Sequence, residues 1–186
     1  MIHDSHPVAD GMTLRPVTLA DAGSLAEALT RSRAYMRPWE PLRPDEFYTP
    51  QGQTQRLTGL LADRDAGRAM PWVLVDAEDR AVGSFTLASI VLGPFRSSPL
   101  GYWVDVEQAG RGLATAAVAR ICDLARDGLG LHRIDAGTLV DNAASQRVLA
   151  KCGFEQFGTA PRYLHINGEW RDHRLFQRIL HDGPPC

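Results

Sequence analysis

Residues 100–154 constrain the fold of this chain more than any other stretch, because strand and helix patterns alternate along them. The run "LGYWVDV" reads as a strand and "EQAGRG" as its exit loop. Leu113, Ala117, Val118, Ile121, Leu124 and Ala125 then recur at helical spacing, and Gly128 and Gly130 are natural helix stops. "HRIDAGTLV" is a second strand, with Ile134, Ala136, Thr138 and Val140 on one side. "DNAASQRVLAKCGF" is a short capped helix closed by Gly153. A β–α–β–α unit of this kind belongs in a mixed α/β domain built on a central sheet.

The flanking segments extend that reading. "MTLRPV" at 12–17 is a short, partly alternating strand. Thr18 with Asp21 looks like a capping pair before a helix carrying Ala22, Leu25, Ala26 and Leu29. The four prolines of "YMRPWEPLRPDEFYTP" argue against a regular element there, although Tyr35, Met36, Trp39, Phe47 and Tyr48 crowd apolar mass into it. Thr49 and Pro50 read as N-cap and first position of a second helix, running to about Arg64. "PWVLVD" and "AVGSFTLASIVL", separated by a polar turn, suggest an antiparallel hairpin, and two last strands, 154–160 and 169–180, flank "HINGEW". No repeat, low-complexity segment or linker interrupts the chain, so 1–186 reads as one domain with its core at 12–180.

Composition narrows the partners. Twenty basic against 22 acidic residues give a formal charge of −2, which provides no polybasic surface for nucleic acid or anionic membrane. No stretch approaches a membrane span and the start does not resemble a secretory signal, so a cytoplasmic protein is expected. Cys122, Cys152 and Cys186 are far apart with no metal-ligand spacing, which supports neither a disulfide framework nor a metal site. Cys122 and Cys152 fit small core positions.

The loop "GRGLAT" raises the question of a phosphate. A glycine-rich turn between strand and helix presents free backbone N–H groups at a positive helix end. A P-loop signature is absent and the spacing is wrong for a dinucleotide fingerprint. On its own the loop fits either a phosphate cradle or an ordinary strand–helix turn.

The pairing of that loop with "N-x-x-S…GF" at Asn142, Ser145 and Gly153-Phe154 resembles the GCN5-related N-acetyltransferase (GNAT) superfamily. "LGYWVD", "GRGLATAAV", "LGLHRIDAGTLVDNAASQRVLAKCGF" and "INGEWRDHRLF" are similar to the branch that acetylates N-terminal amino groups of ribosomal proteins. The resemblance implies a mostly antiparallel sheet of six to seven strands, splayed at its middle, with about four flanking helices. It implies acetyl-CoA as co-substrate, its pantetheine arm pairing with backbone near Val104 and Val106. Gly110, Arg111, Gly112, Leu113, Ala114 and Thr115 would surround the pyrophosphate, and Asn142 would touch the arm while capping its helix. Where the superfamily pattern has Arg or Gln before the glycines, this chain has Ala109, with Gln108 beside it.

The same resemblance makes Ser145 the candidate general acid for the departing thiolate. The tyrosine that many members place in this helix is here Leu149. No carboxylate announces itself as the base: Asp105, Glu107, Glu40, Tyr102 and Tyr163 are within conceivable reach, and a surface or structural role is expected for each. Tyr35, Trp39 and Tyr102 are candidate acceptor contacts, with core packing the alternative for the first two. The implied reaction is direct acetyl transfer to a primary amine, either a protein N-terminus or a small molecule. Drug or amino-acid acetylation and a non-catalytic acyl-CoA-binding module stay as alternatives, and assembly as a homodimer is left open.

Overall fold

The computed structural model describes residues 1–9 and 11–184, so Cys186 lies outside the described residues. Eight strands form the sheet: β1 (His6–Ala9), β2 (Met12–Pro16), β3 (Met70–Val75), β4 (Ala81–Leu87), β5 (Ser97–Val104), β6 (Arg133–Leu139), β7 (Glu155–Ile166) and β8 (Glu169–Ile179). Four helices accompany them: α1 (Ala22–Met36), α2 (Pro50–Asp65), α3 (Leu113–Leu129) and α4 (Ala143–Lys151). The strand order is β1-β2-β3-β4-β5-β6-β8-β7, and every neighbouring pair is antiparallel except β5 with β6. The strand beyond the anticipated seven is β1, which pairs with β2 ahead of the first apolar run.

The local signals account for most of these elements. All six residues of β3 are buried, which suits a central strand covered on both faces. Its alternation divides the core: Trp72 and Leu74 join Phe85, Leu113, Ile121 and Ile134 on the α3–α4 face, whereas Val73 and Val75 join Leu25 and Leu57 on the α1–α2 face. The amphipathic stripe of α3 is buried as its spacing predicts, and the helix ends at Gly130 in the left-handed region. Thr49 caps α2 by accepting from the Gly52 N–H at 3.1 Å. At the start of α1, Asp21 accepts from the Thr18 N–H at 2.7 Å and holds Arg15 with two further bonds. Burial of Asp21 opposes ionisation, but Arg15 and Thr18 outweigh it and keep the carboxyl below its ordinary range.

Several boundaries differ from the sequence reading, among them β7, which runs on to Ile166 rather than ending at 160. The proline-rich stretch is partly regular, because α1 continues through Met36 and 3-10 turns follow at Arg37–Trp39 and Asp45–Tyr48. Its prolines lie at or before turn starts, where a missing N–H costs nothing. Strand β4 stops at Leu87, short of the apolar "SIVL". Strand β5 begins earlier and ends at Val104, leaving Val106 outside it. No helix among the described residues is long and apolar enough to cross a membrane.

Phe85 is fully buried and stands opposite Trp72 on one side and Tyr102 on the other. Phe85→Ala is expected to lower unfolding free energy by about 3–5 kcal/mol, measured by denaturant titration with an unchanged slope.

Candidate active site

Strands β5 and β6 pair only over Ser97–Pro99 against Arg133–Asp135. The Ser97 hydroxyl fixes the closed end by donating to Asp135 at 3.0 Å. Beyond this point the strands part, although β5 runs on to Val104 and β6 to Leu139. The Pro99 carbonyl accepts from Ala88 N–H at 3.0 Å and the Val82 carbonyl accepts from Asp105 N–H at 2.8 Å. Odd-numbered β5 residues therefore turn their backbone polar groups toward β4, and by alternation those of Tyr102 and Val104 face the gap. A strand edge with unspent donors and acceptors suits an extended amide chain.

Val104 is thus on the gap, as anticipated, and Val106 is not. Val106 opens a 3-10 turn (Val106–Gln108) and donates its N–H to Ser32 Oγ at 3.1 Å. Tyr102 is the other residue of the gap-facing parity. The cause is Asp105, whose carboxylate is almost wholly buried. It accepts from Arg31 Nη2 at 2.6 Å, Ser32 Oγ at 3.1 Å and Glu107 N–H at 3.2 Å, which bends the chain away from the sheet. These bonds give Asp105 a structural role and tie α1 to the exit of β5.

The loop after this turn is exposed and left-handed at both glycines, with φ of 79° at Gly110 and Gly112. A Cβ at either position would meet nothing within 4 Å, so the glycines serve the backbone conformation and an open approach from outside. Gly112 is the N-cap of α3 and supplies no side-chain cap. The N–H groups of Leu113, Ala114 and Thr115 in the first turn therefore lack intrahelical acceptors, as the donors of a helix start do where an anion can approach. The Leu113 side chain is buried, so only its backbone is available. The Arg111 guanidinium donates to Gln108 across the turn.

Ser145 lies in the first turn of α4, whose N-cap Asn142 accepts from the Ser145 N–H through its side-chain oxygen at 3.1 Å. The Ser145 hydroxyl is 2.8 Å from the Tyr102 hydroxyl. Tyr102 stacks on Phe85 at 5.7 Å, and burial pushes its phenol up to about 12, with the Ser145 bond opposing that rise. This pair brings β5 and α4 together at the gap. Leu149, where a helical tyrosine was sought, is fully buried, so the phenol beside the serine comes from a strand instead. No local pattern announces a contact between residues 43 positions apart.

On the opposite face, α1 and the segment after it run from β4 to the β7–β8 hairpin. Ser24 Oγ accepts from Ala81 N–H at 2.7 Å, Ser32 meets Asp105, and the Glu40 carbonyl accepts from Asn167 N–H at 3.0 Å. Tyr35 and Trp39 on this bridge are 47% and 38% exposed, which excludes a core-filling role for either. Tyr102, grouped with them in the sequence reading, packs with the α3–α4 cluster instead. His173, missed by the sequence reading, is buried on β8 with Nδ1 3.0 Å from the Arg171 carbonyl.

The acetyltransferase (GNAT) domain family matches residues 12–155. The chain belongs to the GNAT family. It is 32% identical to the [ribosomal protein uS5]-alanine N-acetyltransferase of Escherichia coli over 95% of this chain and 91% of that protein. The crystal structure of ribosomal-protein-S5-alanine acetyltransferase from Vibrio fischeri superposes with a TM-score of 0.92 at 35% identity, covering 98% of this chain and 100% of the other. Mycobacterium smegmatis RimJ, solved with a CoA-disulfide, gives 0.89 at 32% identity over 94% and 86% of the two chains.

Within this GNAT fold the Asp105 clamp can be tested apart from any ligand. Asp105→Ala leaves the buried Ser32 hydroxyl without its acceptor and is expected to cost about 1–3 kcal/mol. Hydrogen exchange should accelerate across Val106–Gly112 while α3 stays protected. Arg31→Ala should cost less, since the Arg31 side chain is 40% exposed.

Proposed function

We propose that the chain is an acetyl-CoA-dependent N-acetyltransferase whose acceptor is the α-amino group of a protein N-terminus. The observation that carries this reading is the β5–β6 gap, bordered by the Ser145–Tyr102 pair and continuing into the uncapped start of α3. The similarity to uS5-alanine acetyltransferases over nearly the full chain supports the acceptor class, and the CoA-disulfide bound to the M. smegmatis relative supports the co-substrate.

In this reading the backbone of Tyr102 and Val104 pairs with the pantetheine amides, and the loop Gly110–Gly112 with the N–H groups of Leu113, Ala114 and Thr115 cradles the pyrophosphate. Arg111 adds positive charge beside it. The side-chain amide nitrogen of Asn142, left over after capping α4, faces the same arm. Acetyl-CoA supplies the activated acetyl thioester. The neutral amine attacks its carbonyl carbon, a C–N bond forms, the C–S bond breaks, and the ammonium proton leaves to water or a base. Ser145 hydrogen-bonds the departing sulfur and relays a proton to it, regaining its own from water, so that the proton lost by the ammonium balances the one gained by the thiol. With the Tyr102 phenol donating to Ser145 Oγ, the serine proton is free to point to the sulfur, and the raised phenol stays protonated throughout the working pH range.

Transfer is direct. Cys122 and Cys152 are buried, and burial pushes the Cys122 thiol up to about 11, so neither offers the thiolate that an acetyl-cysteine intermediate requires.

Gly112→Val should abolish acetyl-CoA binding in calorimetry while the fold persists, because valine is strained at positive φ and its side chain enters the phosphate approach. Retained affinity in a folded variant would remove the loop from the cofactor site.

Thiol release from acetyl-CoA on addition of N-terminal peptides tests the activity itself. Ser145→Ala should lower kcat on the order of 10²-fold with little change in acetyl-CoA affinity. Tyr102→Phe should lower kcat in the same direction by less. The wild type should show no alkaline inflection attributable to the Tyr102 phenol below pH about 10. Full turnover by Ser145→Ala would make that serine structural.

A further inference from the structure

The bridge that follows α1 carries a second feature, unrelated to the cofactor loop. A recess of about 200 Å³ opens there, walled by Arg33, Arg37, Glu40, Arg43 and Tyr48. Glu40 and Arg43 both interact electrostatically with half-buried Arg56 on α2. Arg33 reaches Asp45 at 2.6 Å. Beyond the Coulombic pull of Glu40 on Arg43 and Arg56, the other three guanidinium groups bond or stack only on neutral groups among the described residues: Arg37 donates to Asn167 Oδ1 at 3.4 Å, Arg43 lies 4.7 Å over the Phe47 ring, and Arg56 donates to Gln53 Oε1 at 3.3 Å. Arg33, Arg37 and Arg43 at the recess, with Arg56 behind it, thus outnumber the carboxylates of Glu40 and Asp45 by two in a chain whose formal charge is −2.

Such an excess has an electrostatic cost unless an anion relieves it. Arg56 is the clearest sign: desolvation and then Arg43 lower its pKa, and Glu40 only partly compensates. Glu40 itself is half-buried, and burial raises its pKa against the pull of Arg43.

Position indicates which anion fits. Ser32 marks the exit of β5 at the mouth of the gap, and Arg37 lies five residues further along α1 and its extension, roughly 7.5 Å at helical rise. The carboxylate of a free amino acid sits one carbon from its amine and cannot occupy the recess while the amine is at the gap. An extended peptide advances about 3.3–3.6 Å per residue, which carries a side chain of the second to fourth residue to the arginines.

Resting on the N-terminal acetyltransferase reading, we propose that Arg37 and Arg43, with the charge of Arg56 behind them, form a carboxylate subsite that selects protein N-termini with Asp or Glu among the residues just after the acetylated one. The subsite contributes specificity through charge-assisted hydrogen bonds and leaves the acetyl-transfer chemistry to the gap.

The test is steady-state thiol release with three hexapeptides that begin with alanine and differ only in carrying Glu, Gln or Lys at positions 2 to 4. The proposal expects kcat/KM for the Glu peptide roughly tenfold above the Gln peptide, the Lys peptide lowest, and a ratio that shrinks as salt rises. In Arg43→Glu the order of the Glu and Lys peptides should reverse, and in Arg37→Gln the Glu-to-Gln ratio should fall toward one, with thermal unfolding confirming that both variants are folded. Equal rates for the three peptides would overturn the subsite while leaving the acetyltransferase reading intact. Preferential acetylation of free amino acids would overturn the subsite and the N-terminal acceptor together. Absence of thiol release with every amine would overturn the underlying function and the subsite with it.

Discussion

Everything functional in this protein depends on two parallel strands that stay together for three residues and then separate. The pairing of Ser97–Pro99 with Arg133–Asp135 joins the two halves of the sheet, and the divergence beyond it exposes polar backbone on a central strand. An interior strand edge left unpaired is unstable unless something fills it. Here each departing strand leads into a loop and a helix start, at Gly112 and at Asn142, so the same divergence that opens the gap aims two helix N-termini at it. Fold and site are one geometric decision.

Asp105 holds that decision in place. It stands one residue past the last strand position, buried, and collects Arg31, Ser32 and the turn that leads to the glycines. A buried carboxylate with several donors is costly to disturb, so α1 and the turn that leads to the glycine loop are held in register by one residue.

The sequence made the local elements legible and left the long-range ones hidden. The stripe of α3, the Thr49 and Asn142 caps and the buried run of β3 rest on short-range physics and are found where their patterns put them. Val106 was misplaced because apolar alternation continues through it, while the bend at Asp105 is imposed by Arg31 and Ser32, more than seventy positions away. Trp39 could not be assigned to core or surface from an apolar side chain in a proline-rich loop. The gap was legible only through family resemblance, since no residue pattern encodes how far two strands diverge. Tyr102 was noticed as an aromatic, but its bond to Ser145 needed β5 and α4 to be assembled.

The strand order has a consequence for synthesis on the ribosome. The last strand, β8, inserts between β6 and β7, and the tip of the hairpin it forms with β7 supplies the Asn167 contact that closes the bridge over the gap. Until that final segment has emerged, β6 has no antiparallel neighbour and the segment after α1 has nothing to dock on. The nascent chain can build β1 to β4 and their helices first, but it carries an open sheet edge until β8 has been made. The interval before β8 arrives is when the β6 edge is most exposed to mispairing.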